Sequence, residues 1–567
     1  MTKKQILSPL KKYLLLKEVH GGNSFSLRPY QKIISMIDNG VLWLEEWSSE
    51  TLLNTEGVSK NIAGILMEIV EKGTFDKLEE LIDKTPAGIL DLAQLKGLGP
   101  KKIMALWMDS NITTPEDLIL ACDDGRLAKA KGFGAKSIES LRESAIFWTE
   151  NHFKEHWADA EPIAERLIAK VKEIFPTASI ALVGDFAMDL PEISALEMLI
   201  GSLTPISTHQ QVTAHEDFTE APKTSGPFTF RGKVAGISLP TTIHFVNQAD
   251  FVAEKFKRTA MPQHLNKAGK SGQSLRMVLE DKTFENEQQI YEAAELPFIQ
   301  LPMRNGTHEW EWAQQFKAED LITTAALQGP IHNHTHYSDG MNSLQEMADY
   351  CIAKGWKYIG ISDHSQTAAY ANGLSAERVL AQQAEIDELN ASFKDFKIFK
   401  GIESDILQQG ELDYPEEILK TFDFIVASIH GNLSMDLETA TNRLLRAIEN
   451  PYTTMLGHPT GRLLLKRAGY PIDHQRIIDA CAEHQVIIEI NANPWRLDLD
   501  WQWVNYAVSK GVMISINPDA HVTTGLDDMR YGVKVAKKAG LTIKDTFNAK
   551  SREEVAAYFA ERKSRIQ

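Results

Sequence analysis

Residues 331–340, Ile-His-Asn-His-Thr-His-Tyr-Ser-Asp-Gly, constrain this chain more than any other stretch. In an extended backbone His332 and His334 point to the same side, because side chains alternate with a period of two, and Asp339 follows at the turn beyond. Two imidazoles held that close beside a carboxylate make the start of a metal site. Six more apolar runs follow, most of them ending on a potential ligand. Run 358–362 ends at Asp363-His364, run 396–402 at Glu403, run 422–429 at His430 and run 453–457 at His458. Run 486–490 leads into Asn491, Asn493 and Arg496, and run 512–518 ends at Asp519 and His521. Helical patterns such as 376–389 and 437–448 lie between them. Strands alternating with helices predict a parallel sheet covered on both faces. With the strand at 331 there are seven, enough to close a barrel, and such barrels keep their chemistry at the strand C-terminal ends.

The segments His-x-His-Thr-x-x-Ser-Asp-Gly, Ser-Asp-His-Ser, Gly-Ile-Glu, Ser-Ile-His-Gly, Gly-His-Pro and Pro-Asp-Ala-His, in that order, resemble the PHP (polymerase and histidinol phosphatase) domain. The resemblance covers residues 325–567 and implies a distorted (β/α)7 barrel with a trinuclear metal centre. It implies that His332, His334 and Asp519 serve one ion, that Glu403 bridges, that His430 and His458 complete a second, and that Asp339, His364 and His521 hold the third. His332, His334, Glu403 and Asp519 are thereby the expected catalytic set. Pro330 departs from the acidic residue often found there in the family. Mixed nitrogen and oxygen ligands without thiolate suit Mn2+, Zn2+ or Fe2+, among which sequence does not choose. Arg462, Lys466 and Arg496 are expected to contact substrate phosphate.

A chain of 567 residues exceeds one core and predicts three or four domains. The expected boundaries are 1–85, 86–155, 156–318 and 325–567. The short link 314–329 lacks a Gly/Ser tract, which predicts that the halves it joins pack together. No apolar run approaches a membrane span and the first residues are not a signal peptide, so the expected setting is cytoplasmic. Three scattered cysteines fit a reducing compartment. The formal net charge of −17 excludes a uniformly basic surface, though not a local basic patch.

Residues 1–85 read as short helices. Residues 92–108 contain Gly97-Leu-Gly99-Pro-Lys101-Lys102, and residues 127–148 repeat the pattern with Gly132-Phe-Gly134-Ala-Lys136. A Gly-x-Gly turn opening a helix directs backbone N–H groups outward, where a DNA phosphate can bind, and the lysines add charge. Two such helix-hairpin-helix signatures point to sequence-independent DNA binding.

Residues 160–318 shift to an α/β pattern, with a helix over 162–174 and a strand over 179–183. With the helices before it, this half resembles a family X DNA polymerase: lyase-like domain, hairpin modules, palm and thumb. Tyr30, Gly73, Leu78, His264 and Leu301-Pro-Met-Arg304-Asn-Gly306 fit that frame. The departures weigh more. Where the family binds triphosphate with Gly-Ser and two arginines, this chain has Gly184-Asp185 and Ala187-Met188. The positions matching the metal-holding carboxylates are Ala195, Glu197 and Thr242, and Ile65 replaces the lyase lysine. One carboxylate cannot hold two ions, so both sites are expected to be lost.

The expectation is a metal-dependent DNA phosphoesterase, 3′-5′ exonuclease or abasic-site endonuclease, working as a monomer in DNA repair. A functional repair polymerase with a PHP nuclease, or a small-molecule phosphatase on a scaffold, are the alternatives.

Overall fold

The computed structural model describes residues 3–22, 24–38, 48–129 and 132–566. The chain divides into two compact units, residues 1–152 and 153–567.

The first unit is helical. Its core is built from Leu10, Leu16, Ile33, Ile37, Leu66, Ile69 and Phe75, on the inward stripes of the first helices. Two helical hairpins follow: Gly88–Leu92 with Pro100–Ser110, and Pro115–Asp123 with Ala135–Asn151. Gly97 (φ 90°) and Gly132 (φ 96°) turn the chain through backbone space that a Cβ disfavours. Gly99 and Gly134 cap the helices that follow. Between each pair of glycines, Leu98 and Phe133 are buried and pin the turn to the core.

The second unit holds two large sheets and a two-stranded one, Glu155–His156 with Glu192–Ile193. A five-stranded sheet runs in the spatial order 179–183, 196–202, 241–247, 229–234, 218–220. Only the pairing of Leu196–Ser202 with Thr241–Asn247 is parallel. Beyond it lies a helical cluster about Phe256, Tyr291 and Trp310. There His264 is fully buried, its ring nitrogens 2.9 Å from Glu309 Oε1 and 2.9 Å from Tyr291 Oη.

The other sheet has six parallel strands, neighbours in chain order: Tyr358–Ile361, Lys397–Asp405, Phe424–Ser428, Met455–Leu456, Ile487–Asn491 and Ile514–Asn517. The expected seventh strand, at 331, departs from the sequence reading. It is a single bridge, Asn333 to Ala520, and not a regular ladder. Side chains take over ladder bonds: Asn517 Oδ1 accepts from Ile331 N–H (3.1 Å), and Asn333 Nδ2 donates to Gly360 O (3.0 Å). Backbone bonds still run both ways, from Gly360 N–H to Pro330 O and from His334 N–H to Ala520 O, each 2.8 Å. The segment therefore bridges the first and last strands and curls the sheet.

The two sheets share an apolar core that includes Trp157, Leu196 and Phe245 on one side and Ile425, Ile488 and Ile516 on the other. The polar seam is specific. Trp312 Nε1 donates to Gly540 O (2.7 Å), Lys534 pairs with Asp189 (2.9 Å), and buried Lys538 donates to Met188 O (3.0 Å) and Asn305 Oδ1 (2.8 Å). No helix among the described residues is long and apolar enough to cross a membrane.

Candidate metal centre

At the C-terminal end of the six-stranded sheet, the nine sequence-predicted ligand positions converge around Glu403. Its Oε1 lies 3.0 Å from His458 Nε2, 3.2 Å from His430 Nε2 and 3.4 Å from His332 Nε2. Its Oε2 lies 3.0 Å from His364 Nδ1 and 3.6 Å from His334 Nε2. Asp519 Oδ1 is 3.0 Å from His334 Nε2 and 3.6 Å from His332 Nε2. Asp339 Oδ1 is 3.4 Å from His521 Nε2 and 3.7 Å from His364 Nε2. Three groups have ligand atoms all within 4.8 Å of one another: His332, His334 and Asp519; His364, Glu403 and His430; and His334, Asp339, His364 and His521. The two units differ in this respect, since among the described residues every such group lies here.

The donor set fits divalent ions. Buried His332 Nε2, both ring nitrogens of His334, His364 Nδ1, Glu403 Oε2 and His458 Nδ1 make no hydrogen bond of acceptable geometry, although potential partners crowd them. Buried nitrogens and oxygens in that state are costly unless a cation engages them. Burial would raise the Glu403 carboxyl, but His430, His332 and His364 outweigh it and hold it well below the usual range. Burial, with His521 and His364 alongside, pushes His334 down to about 3, which favours the neutral, ligating imidazole. His458 (φ 22°) and Asp519 (φ 53°) both sit in the left-handed region, strain of a kind that collects at functional sites.

Residues that the sequence reading passed over aim these ligands. Glu489 Oε2 lies 2.7 Å from His332 Nδ1, and Asp405 Oδ1 lies 2.5 Å from His430 Nδ1. A carboxylate on the far ring nitrogen fixes the tautomer and leaves the other nitrogen to ligate. Asp363, fully buried, accepts from Thr335 N–H (2.8 Å), Ser338 N–H (3.2 Å), both their hydroxyls and Gln382, and so anchors the 332–339 loop. A charge inside an otherwise apolar strand was the signal for Glu489.

Of the three expected phosphate contacts, Arg496 lies nearest, its Nε 3.6 Å from Asp519 Oδ2. Arg462 is turned elsewhere: its guanidinium donates to Arg496 O (2.8 Å), Asp500 (2.7 Å) and Leu497 O. Lys466 Nζ sits 4.4 Å over the Trp495 ring.

The PHP domain family matches residues 330–493, and a SAM-like helix-hairpin-helix tandem matches residues 89–145. The "DNA polymerase/3'-5' exonuclease PolX" of Bacillus subtilis is 31% identical over 574 residues, spanning 98% of this chain and 99% of that protein. The chain belongs to the PolX family. Proteins named as probable phosphatases match little more than a third of the chain. One from Thermoanaerobacter sp. is 32% identical over 37% of this chain and 87% of its own length, and one from Vibrio atlanticus is 30% identical over 34% and 77%.

The palm positions singled out in the sequence lie close together in space. Glu197 and Thr242 face each other across parallel strands, and Ala195 immediately precedes the first of them. Glu197 Oε2 lies 3.4 Å from His244 Nε2, which holds the carboxyl below its usual range. Burial and Glu197 push Asp185 upward. The cations acting on Asp185 are Lys538, already engaged with Met188 O, and Lys154, and Gly184 N–H donates to Arg258 O (2.9 Å). Ile65 is buried inside the helix Lys60–Lys72.

In the PolX hairpins, Gly97, Gly99, Gly132, Gly134, Lys101 and Lys136 are exposed. Lys102 is half-buried and folds back, its Nζ donating to Gly97 O at 3.1 Å.

Proposed function

We propose that this PolX-family chain is a DNA phosphodiesterase of 3′-5′ exonuclease or abasic-site endonuclease type, working at the PHP centre as a monomer in the cytoplasm during DNA repair. The observation that carries the reading is the gathering of nine ligand-type side chains, Glu403 among them, at one strand end, with buried nitrogens and oxygens that a cation would satisfy. Two or three divalent ions held there, Mn2+, Zn2+ or Fe2+, would supply Lewis acidity toward the phosphate and acidify a water molecule. Glu403, Asp519 and the surrounding imidazoles hold the ions, Glu489 and Asp405 orient the rings, and Arg496 adds a fixed cation for the substrate's charge. The hairpin turns, with Lys101 and Lys136, supply sequence-independent backbone contacts.

Templated synthesis does not belong to this reading. Ala195 and Thr242 offer no carboxylate, and Glu197 already pairs with His244. A polymerase reading draws support from the name of the Bacillus subtilis relative, and primer extension separates the two. The main test incubates metal-loaded protein with 3′-labelled DNA, abasic duplex and a simple phosphomonoester. Release of nucleotides or nicking at the abasic site is expected. Turnover of the phosphomonoester alone would replace this reading with a small-molecule phosphatase.

A further inference from the structure

We infer that Tyr370 is the platform on which the nucleobase next to the scissile phosphate stacks, an inference that rests on the phosphodiesterase reading above. Tyr370 is 71% exposed, yet its ring centroid lies 6.0 Å from that of His364 and 6.4 Å from that of His430. An isolated exposed apolar side chain needs no explanation. This one is set apart by its place at the rim of the centre and by the rigidity of what carries it.

Its neighbours on the turn, Ala368 and Ala371, are buried. Asn372, in the left-handed region (φ 54°), ties the turn to the ligand loop through Nδ2, which donates to Tyr337 O and Ser338 O at 3.2 Å each. Arg378 Nη1 donates to Asn372 O at 2.9 Å and its other amino group to Tyr337 O. Gly373 packs so closely that a Cβ there would lie 1.9 Å from Ser365 O. A ring held out on a fixed turn loses little freedom when it meets a ligand, the condition under which stacking contributes most. The other exposed aromatic near the mouth, Trp495, has a covered ring: Lys466 Nζ lies 4.4 Å over it and His156 stands 6.0 Å away.

A phosphodiester bound at the ions carries a nucleoside on the phosphate, and every base has a face to stack, so the platform reads the presence of a base and not its identity. The experiment compares the full-length, Mn2+-loaded protein and its Tyr370→Ala and Tyr370→Phe variants on two oligonucleotides. One ends in an ordinary 3′ nucleotide and the other in a 3′ tetrahydrofuran residue that lacks the base. Wild type should favour the base-bearing end through KM. Tyr370→Ala should collapse that preference by roughly 10-fold or more, the scale of one base–aromatic stack, and Tyr370→Phe should restore it. Bound metal, read by elemental analysis, should stay equal in all three. Equal loss on both ends, or no restoration by phenylalanine, would overturn the stacking role while leaving the phosphodiesterase reading intact. Absence of hydrolysis of either end by the wild type would overturn both.

Discussion

The mouth of the barrel and the floor of the palm lie in the same compact unit, and each gathers polar side chains at strand ends. At the barrel, three ligand groups overlap through His334 and His364, Glu403 meets five imidazoles, and carboxylates behind the rings aim them. At the palm, Glu197 pairs with His244, with Arg258 and Arg231 acting on it from further away, opposite a threonine. The difference teaches that a scaffold and its chemistry are separable. The palm places Glu197 opposite Thr242 in parallel register, one step after Ala195, so a single carboxylate stands among the three positions.

The largest effect should follow from breaking the barrel side. Glu403→Ala removes the group on which five imidazoles converge. DNA hydrolysis should fall by more than about 100-fold, above the range of losses typical of orienting residues, and elemental analysis should show lost metal. Chelation of the wild type should do the same, and metal repletion should restore both. A Glu403→Ala protein that digests DNA at the wild-type rate would place the chemistry elsewhere. Next in size, Glu489→Gln should weaken metal binding by roughly 10–100-fold in calorimetric titration with the fold unchanged, since it only aims His332. Unaltered affinity would show that the strand charge serves packing alone.

A smaller effect is expected in the first unit. Replacing Lys101 and Lys136 by glutamate should weaken DNA binding and flatten its salt dependence by about 0.9 per lost phosphate contact on duplex DNA. An unchanged slope would remove these turns from the DNA surface. The smallest is expected at the palm, where Glu197→Ala should leave hydrolysis within about twofold, the size of an ordinary surface change. Primer extension with four nucleotides should be absent before and after the change. Template-dependent extension that vanishes in Glu197→Ala would erase the contrast between the two regions.

The barrel was legible because its strands are short apolar runs that stop at a ligand, so six of seven were placed within a few residues. What escaped did so for physical reasons. Asn517, Asn333 and Ser362 replace ladder bonds at 331, and side-chain substitution of that kind leaves no periodic trace. Glu403 lies within the strand Lys397–Asp405 and not after it, because the ladder continues beyond the apolar run. Glu489 sits inside a run expected to be purely structural, and Asp405 lies beyond the run expected to end at Glu403. Arg462 looked like a phosphate ligand only because its carbonyl partners at 496 and 497 are distant in spacing but adjacent in the fold. Only the strand at 179–183 was marked in the palm, whose alternating, half-polar strands give a weaker pattern than the barrel's buried ones.

The seam of Trp312, Lys534 and Lys538 has a thermodynamic consequence. Because the palm and barrel share one apolar core and buried polar clasps, neither has a melting transition of its own. Calorimetry of the whole chain should resolve residues 153–567 as one cooperative block, distinct from the helical unit before it. Each defect in the packing of the palm then lowers the population of folded barrel as well.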